Sequence, residues 1–415
     1  MNRPMVINQD SAGNIKLSDC MLKILTAYMI LIVLVKFYLA NTAVSAMIPY
    51  ASVVLEAALS VYIIYYNKWN LSLNSEATIS ILYLITTLYF TMMHAGYASA
   101  ITAVFKEYVV LFVCVFLRNR TYTMKTFKNV IRVLVVFGVI TILAAMVYDN
   151  MLSEAIHPTN IYMADIKSFF NSKNQFGRVL YLSTICVFFL FTTCEKKVGK
   201  IFYLALTAVF GLATAMTFSR TSLMSVALFF LFYYFLTPKE KTSRKIAVIA
   251  FGVLAFLFVV TNDFLMDYIT RYIIREDVGI ESRSDIWVIG LEYIQHHPLV
   301  GAGEYMAEKV INQGGIPLFE FHNQYVYRMF VSGIPMAILW GWLIIKRFIV
   351  LIKKLKTNPI MDVSLAMLLS FMAYMCLEQY SIFQFSYTGL FIILFLYIGP
   401  NVIEEDEIIE QEECA

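Results

Sequence analysis

Charged residues are scarce in this chain of 415 residues, at 15% of the sequence, and histidine occurs only five times. Soluble domains usually carry about 25% charged residues, so the low fraction argues against a soluble protein. Apolar runs of roughly 17–25 residues recur along the chain instead, which is the length a helix needs to cross a ~30 Å hydrocarbon core. We therefore expect an all-α, polytopic integral membrane protein.

Several enzyme motifs are also missing from the sequence. The chain has no DxD motif for a metal-bound sugar nucleotide, no GxxxxGK[ST] or GxGxxG nucleotide loop, and neither GxSxG nor HExxH. Its six cysteines include no CxxC pair, so neither a disulfide framework nor a zinc site is indicated. These absences weigh against ATPases, dinucleotide-binding enzymes and zinc proteases, and we predict no metal site.

The apolar runs predict about twelve membrane spans. The basic residues alternate between the connecting segments: the segment 118–128 is rich in Lys and Arg, whereas those near 41–47, 96–98 and 378–386 have none. The positive-inside rule then puts both termini in the cytoplasm. The predicted spans lie at about 22–40, 48–66, 77–95, 99–117, 129–148, 175–193, 200–216, 221–236, 245–261, 328–345, 361–377 and 387–400.

The predicted organisation includes one unusually long loop, at 262–327. Within it, the segment 282–298 has apolar residues at helical spacing, a Ser/Asp start and a Pro stop, and it predicts an amphipathic helix at the outer surface. A loop of this length is usually functional or disordered, and its composition argues against disorder. The expected regions are a cytoplasmic segment 1–21, spans over 22–261, the external loop 262–327, spans over 328–400 and an acidic cytoplasmic tail 401–415.

Three residues on the predicted external side are candidates for chemistry. Arg220 lies in a tight turn between two spans, where it either faces a cavity or anchors its helix at the headgroups. Arg283 begins the amphipathic helix and is either a phosphate ligand or a solvated loop charge. His322 is either a general base or an interfacial side chain that bonds a loop carbonyl. Further polar candidates that would support the site are Asn174, Arg178, Asn323 (also a candidate helix cap) and Arg328.

Four segments around these residues resemble, in the same order, the O-antigen polymerase and O-antigen ligase superfamily of bacterial envelopes. They are "NSKNQFGRVL" (171–180), "TFSRTSL" (217–223), "SRSDIWVIGLEYIQHHPLVGAGEY" (282–305) and "HNQYVYRMFVSGIP" (322–335). The resemblance covers roughly residues 165–345. At Met336, three residues after Gly333, ligases often carry Gly, Thr or Tyr, and this departure weighs against a ligase.

The resemblance implies a membrane-type, GT-C-like glycosyltransferase that uses a sugar linked to polyprenyl (undecaprenyl) diphosphate. It implies that Arg220 and Arg283 bind the diphosphate and that His322 activates the acceptor hydroxyl, with no metal ion and no cofactor. Direct attack would invert the anomeric carbon. The expected location is the bacterial cytoplasmic membrane, with the site facing outside and the lipid entering from the outer leaflet.

Several functions remain open at this point. The first is a polysaccharide polymerase that joins lipid-linked repeat units of a capsule, exopolysaccharide or O-antigen. The second is a ligase that moves finished glycan to a lipid, protein or wall acceptor. A lipid-linked oligosaccharide transporter or flippase is a third, although it predicts repeated halves and polar groups at the bilayer midplane. A lipid-gated scaffold is a fourth. Expected partners are membrane lipids, a chain-length regulator and a flippase, and no nucleic acid.

Overall fold

The computed structural model describes residues 11–39, 75–89, 120–156, 166–236, 281–303, 320–355, 360–383 and 386–404, together with isolated positions between these ranges. Apart from such isolated positions, the predicted spans at about 48–66, 99–117 and 245–261 lie outside the described residues, as does most of the acidic tail. The described part of the chain is predominantly helical.

Where the structure describes every residue between two helices, as between α3 and α4, α5 and α6, and α6 and α7, the connection is short. Helix α3 starts at an N-cap, Thr123, whose hydroxyl accepts from the backbone N–H of Thr126, and α5 starts at a second, Ser172, which accepts from the N–H of Gln175. Such caps satisfy donors that have no partner within the helix. The helices are α1 (Ser11–Leu39), α2 (75–89), α3 (Met124–Tyr148), α4 (Met151–Ile156), α5 (Lys173–Thr192), α6 (Lys197–Met216), α7 (Arg220–Leu236), α8 (Glu281–His296), α9 (Gln324–Lys354), α10 (Ile360–Met375) and α11 (Tyr387–Ile393).

Five of these helices are long and apolar enough to cross a membrane. They are α3, α5, α6, α9 and the stretch Ile15–Leu39 of α1, while α7, α10 and the segment Tyr387–Asn401 are shorter apolar helices. Large apolar side chains cover the outward faces of α3 and α6, as fits contact with lipid tails; they include Val136, Leu143, Ile201 and Phe202. The protein is therefore a polytopic helical membrane protein.

Helix α5 forms the centre of the bundle. Its side chains are buried continuously from Phe176 to Leu190, and it packs against α3, α6 and α7. Helix α10, also buried on nearly every side, packs against α7 and α9. Hydroxyls such as those of Thr184 in α5 and Ser225 in α7 donate to the carbonyl four residues earlier, at 2.8 Å in each case.

Helix α9 departs from the predicted span at 328–345. It begins at Gln324, runs for 31 residues and is broken at Gly333, which adopts φ 76° and ψ 163°. Pro335 follows in the next turn, where it cannot donate to the carbonyl of the preceding turn. The predicted last span, 387–400, is also irregular, because α11 continues as a π-helix over Leu394–Ile398 and a 3₁₀ turn over Gly399–Asn401.

A short parallel pair of strands was not predicted from the all-α pattern. Strand β1 (Tyr122–Thr123) pairs with β2 (Val402–Ile403), which joins the start of α3 to the segment after α11. The side chain of Asp19 in α1 accepts from the backbone N–H of Thr123 at 3.1 Å and from the hydroxyl of Thr126 at 2.9 Å. The predicted cytoplasmic tail thus begins with residues that pair with β1, Val402 and Ile403, and these residues are packed against the bundle.

Candidate active site

A buried carboxylate, that of Glu378, gathers polar residues from four parts of the chain. Glu378 follows α10 and is 5% exposed. Its Oε1 accepts from Asn174 Nδ2 in α5 and from Thr221 Oγ1 in α7, both at 3.3 Å, and lies 3.4 Å from Arg283 Nη2 in α8. Its Oε2 lies 3.5 Å from His322 Nδ1. We call these five residues the Glu378 cluster.

The cluster keeps Glu378 charged. Burial alone would raise the pKa of the Glu378 carboxyl, but the contact with His322 and the positive charges of Arg283 and Arg178 hold the pKa below its usual value. A buried carboxylate is tolerated only where cations and donors compensate for its lost hydration. Glu378 is therefore ionised at neutral pH, and its negative charge attracts the positive charges of Arg283 and Arg178 at this end of the bundle.

Arg283 is fixed by two contacts on the segment after α10. Its Nη1 donates to the carbonyl of Leu377 at 2.9 Å, and its Nη2 pairs with Glu378. The side chain is 23% exposed, so it is a partly buried, oriented cation rather than a solvated loop charge. A guanidinium has five N–H donors, and the contacts with described residues leave three of them for a ligand.

His322 lies in a strained backbone conformation immediately before α9. Its φ is 49°, in the left-handed region that residues with a side chain adopt only rarely. Both neighbours hold it there: the N–H of Phe321 donates to Gln379 Oε1 at 2.9 Å, its carbonyl accepts from Trp287 Nε1 at 2.7 Å, and Asn323 caps α9. The predicted capping role of Asn323 is confirmed, since its side-chain oxygen accepts from the N–H groups of Tyr325 and Val326 in the first turn of α9.

The imidazole is oriented by this backbone. Nδ1 of His322 is buried, and among the described residues it has no well-aligned hydrogen bond, although Glu378 Oε2 lies at ion-pair distance. A carboxylate on the Nδ1 side favours the tautomer with the proton on Nδ1 and stabilises the imidazolium. The lone pair of the other ring nitrogen, Nε2, is then the one that can accept a proton, and the ring is 18% exposed.

The segments that contain Gly301 and Gly333 are in contact with each other. The N–H groups of Ala302 and Gly303 donate to the carbonyls of Phe330 and Val331 at 2.8 and 3.0 Å. A Cβ on Gly301 would lie 2.0 Å from the carbonyl oxygen of Val331, so only glycine fits this approach. The break in α9 at Gly333 opens the carbonyls that these donors use. The loop after α8 is therefore locked onto α9, which fixes Arg283 and His322 relative to each other.

The remaining predicted residues fall into two groups. Arg220 is the first residue of α7, is half-buried and directly precedes Thr221 of the Glu378 cluster, while Arg178 lies over the ring of Tyr380, 3.6 Å from its centroid. Arg328, by contrast, is 5% exposed within α9 and donates to the hydroxyl of Tyr83 in α2. Of the sequence candidates, Asn174, Arg283 and His322 thus contact Glu378, and Arg178 acts on it electrostatically. Arg220 is the chain neighbour of Thr221, and Arg328 has different partners.

Sequence reasoning missed Glu378 itself. The residue stands at the end of a predicted span, in a segment that was noted only for having no Lys or Arg. A single carboxylate beside an apolar span is costly and usually has a partner, and this was the signal available. Thr221, Gln379 and Tyr380 were missed too, because hydroxyl and amide residues next to a span have no distinctive pattern. Among the described residues, no group of three or more His, Cys, Asp or Glu side chains could hold a metal ion.

Part of the chain matches a known protein family. Residues 203–341 match the model of the O-antigen ligase family, Wzy_C. The match contains Arg220, Thr221, Arg283 and His322, while Asn174 and Glu378 lie outside it. No curated protein matches the chain. Residues 203–341 are therefore similar to the O-antigen ligase family, which is consistent with the O-antigen polymerase and ligase superfamily.

Proposed function

We propose that the protein is a polysaccharide polymerase that joins oligosaccharide repeat units linked to polyprenyl diphosphate. The observation that carries the proposal is the Glu378 cluster, in which an oriented histidine and a partly exposed arginine, both within the matched residues 203–341, lie against one carboxylate. A general base and a diphosphate ligand are the two groups that metal-free glycosyl transfer needs at close range.

The donor's diphosphate would bind Arg220 and Arg283. Neutralising its charge makes polyprenyl diphosphate a good leaving group, and the three unused donors of Arg283 suit bidentate contact with phosphate oxygens. Arg283 stays paired with Glu378 while it does so, because different N–H groups serve the two ligands. In this proposal the arginines do the work that Mg²⁺ does in other transferases, and no cofactor takes part.

The acceptor hydroxyl would be activated by Nε2 of His322. As the hydroxyl oxygen attacks the anomeric carbon, its proton passes to Nε2, the bond from that carbon to the phosphate oxygen breaks, and polyprenyl diphosphate leaves with the electron pair. Attack from the opposite face inverts the anomeric carbon. The negative charge of Glu378 stabilises the imidazolium that forms, and the clamped backbone at residues 321–323 keeps the ring in place.

The location follows from the charge pattern of the sequence. We propose about twelve spans in a GT-C-like arrangement in the bacterial cytoplasmic membrane, with both termini in the cytoplasm and the Glu378 cluster at the outer leaflet. In this orientation the loop 262–327 roofs the site, and the lipid enters sideways from the bilayer. Partners would be a flippase that delivers the repeat units and a chain-length regulator.

A ligase is the second candidate, and the description of the matched family favours it. A ligase would use the same donor and the same proton transfer, and only the acceptor would differ: a lipid, a protein or a wall polymer instead of a second repeat unit. The two functions therefore have to be separated by the product.

The test is a reconstituted reaction with native lipid-linked repeat units from the host, EDTA and no nucleotide. A polymerase gives a ladder of glycan lengths on a gel with repeat units alone, whereas a ligase needs an added acceptor. His322→Ala should remove the ladder, and His296→Ala is the matched control because His296 is exposed at the end of α8. A ladder that survives His322→Ala, or that requires added Mg²⁺, contradicts the mechanism.

A further inference from the structure

A cavity of about 240 Å³ lies between α1, α5 and the segment that leads into α11. It adjoins the Glu378 cluster through Arg178, which lines the cavity and also acts electrostatically on Glu378. The cavity contains neither His322 nor Arg283 in its lining, so it is a neighbouring compartment and not the space where the proposed transfer occurs.

The charged residues that line the cavity are cations. Lys36 comes from the last turn of α1, and Arg178 comes from the second turn of α5; no acidic residue is among the described residues of the lining. Arg178 is 8% exposed, and its Nη1 donates to the hydroxyl of Tyr374 at 3.4 Å. Its Nε is buried and has no hydrogen-bond partner among the described residues. A buried guanidinium with an unused donor indicates an acceptor that occupies the adjoining space.

A row of hydroxyls and amides forms the polar part of the lining. The hydroxyl of Tyr380 contacts those of Ser386 and Thr388, which lie 3.2 Å from each other. Gln175 and Asn171 add two side-chain amides. Hydroxyls and amides can each donate and accept, as do the hydroxyls of a sugar.

Aromatic rings and the aliphatic side chains of α1 and α5 form the rest of the wall. Phe170 and Tyr387 both line the cavity, with their ring centroids 6.4 Å apart, and Phe169 lies beside them. The C–H face of a pyranose packs well on such rings, since they offer apolar area of fixed shape. A volume of about 240 Å³ is smaller than the roughly 300–1,000 Å³ of sites for drug-sized ligands, so it suits a single sugar ring.

We propose that this cavity binds one acidic sugar of the lipid-linked glycan, with the acid group held between Arg178 and Lys36 and the ring packed against Phe170 and Tyr387. The proposal rests on the proposed function, because the glycan is the substrate there. It adds a substrate class, namely repeat units that carry a carboxylate or another anionic substituent. A subsite next to the Glu378 cluster would recognise this substituent. An anionic lipid headgroup has similar chemistry, and the experiment separates the two sources.

The test measures binding without turnover. The full-length protein in phosphatidylcholine nanodiscs is titrated with methyl β-glucuronoside and with methyl β-glucoside, and the dissociation constants are determined by saturation-transfer NMR. We expect the acid sugar to bind roughly tenfold or more tightly, the size of one charge-assisted hydrogen bond. Lys36→Gln should cut this preference about threefold, because Lys36 is exposed. Lys23→Gln, at an exposed position of the same helix, is the matched control.

Arg178→Lys tests the buried cation, since lysine keeps the charge but loses the planar donors. If that variant fails to fold, Lys36→Gln alone decides the question. Equal affinity for the acid and the neutral sugar, or an equal effect of Lys36→Gln and Lys23→Gln, overturns the proposal. Loss of glucuronoside binding in phosphatidylglycerol nanodiscs also overturns it, because a headgroup then occupies the cavity. If the protein binds the acid sugar selectively but builds no ladder of glycan lengths, this inference stands and the polymerase proposal is rejected. If it builds a ladder but binds both sugars equally, the polymerase proposal stands and this inference is rejected.

Discussion

Replacing Glu378 by glutamine separates the two roles that the structure gives this residue. Glutamine keeps a carbonyl that can accept from Asn174 and Thr221, but it removes the negative charge that faces Arg283 and His322. The substitution is close in volume, so the packing of the segment after α10 is retained. What changes is the electrostatic environment of the two side chains on which the proposed reaction depends.

The expected cost in stability is moderate. Hydrogen bonds to charged groups contribute about 1.5–3 kcal/mol each, and the long contacts of 3.4 and 3.5 Å put these two at the low end. Arg283 is also partly exposed, so water replaces part of the lost interaction. We expect the free energy of unfolding to fall by about 1–3 kcal/mol. The loss of transfer rate should be much larger, about 10²–10⁴-fold, because an unoriented base contributes little.

The pH dependence gives a second readout of the same variant. The pKa of Glu378 is lower in the folded protein than its usual value near 4.3. Its contribution to stability is therefore fully present above about pH 4.3 and is lost as the pH falls through the lower, folded-state pKa. The difference in melting temperature between the native protein and Glu378→Gln should shrink as the pH falls below about 4.

The assay pairs thermal unfolding in detergent with transfer rates on lipid-linked repeat units. Glu292→Gln is the matched control, because Glu292 is an exposed carboxylate on α8. Glu378→Gln should be folded, somewhat less stable and nearly inactive, while Glu292→Gln should behave like the native protein. A fully active Glu378→Gln variant, or one whose stability difference widens at low pH, would refute the role of this carboxylate.

Three further substitutions test other parts of the site. Gly301→Ala should lower stability by more than about 2 kcal/mol in thermal melts, because a Cβ there would overlap the carbonyl of Val331; an unchanged melting temperature would show that the locked loop is not rigid. Asn323→Ala should lower the free energy of unfolding by about 1 kcal/mol, because α9 loses its N-cap. A transfer rate that also falls would indicate that the cap holds the neighbouring His322 in place. Arg283→Lys should recover only part of the activity that Arg283→Ala loses, since lysine cannot grip a diphosphate bidentately; equal rates for the two variants would contradict that role.

Local patterns in the sequence predicted those parts of the structure that local physics determines. The helix at α8 follows from its spaced apolar residues and its Pro stop, and the cap at Asn323 follows from a short polar side chain before a span. The segments that contain Gly301 and Gly333 could be recognised in the sequence too. Their contact, in which Gly301 packs against the turn of α9 next to Gly333, could not be predicted. The closeness of two backbones far apart in the chain depends on how the helices pack.

The site could be predicted only in part, for the same reason. Arg283 and His322 stood out as polar residues in a long loop, and the structure brings both to Glu378. Glu378 comes from the end of another span, and no spacing along the chain connects it with them. Arg328 was equally prominent in the sequence, yet it serves the contact between α9 and α2. A charge near a span is thus detectable from sequence, while its partner is decided by the tertiary fold.

The release of polyprenyl diphosphate is the measurement that tests the central claim most directly. Purified protein, lipid-linked repeat units and EDTA would be mixed, and the freed diphosphate lipid quantified by mass spectrometry beside Arg283→Ala, His322→Ala and the His296→Ala control. The account predicts one released carrier per glycosidic bond formed, with release lost in the Arg283 and His322 variants and kept in the control. Release that needs a divalent metal, or that continues at the native rate in either of the first two variants, would contradict it.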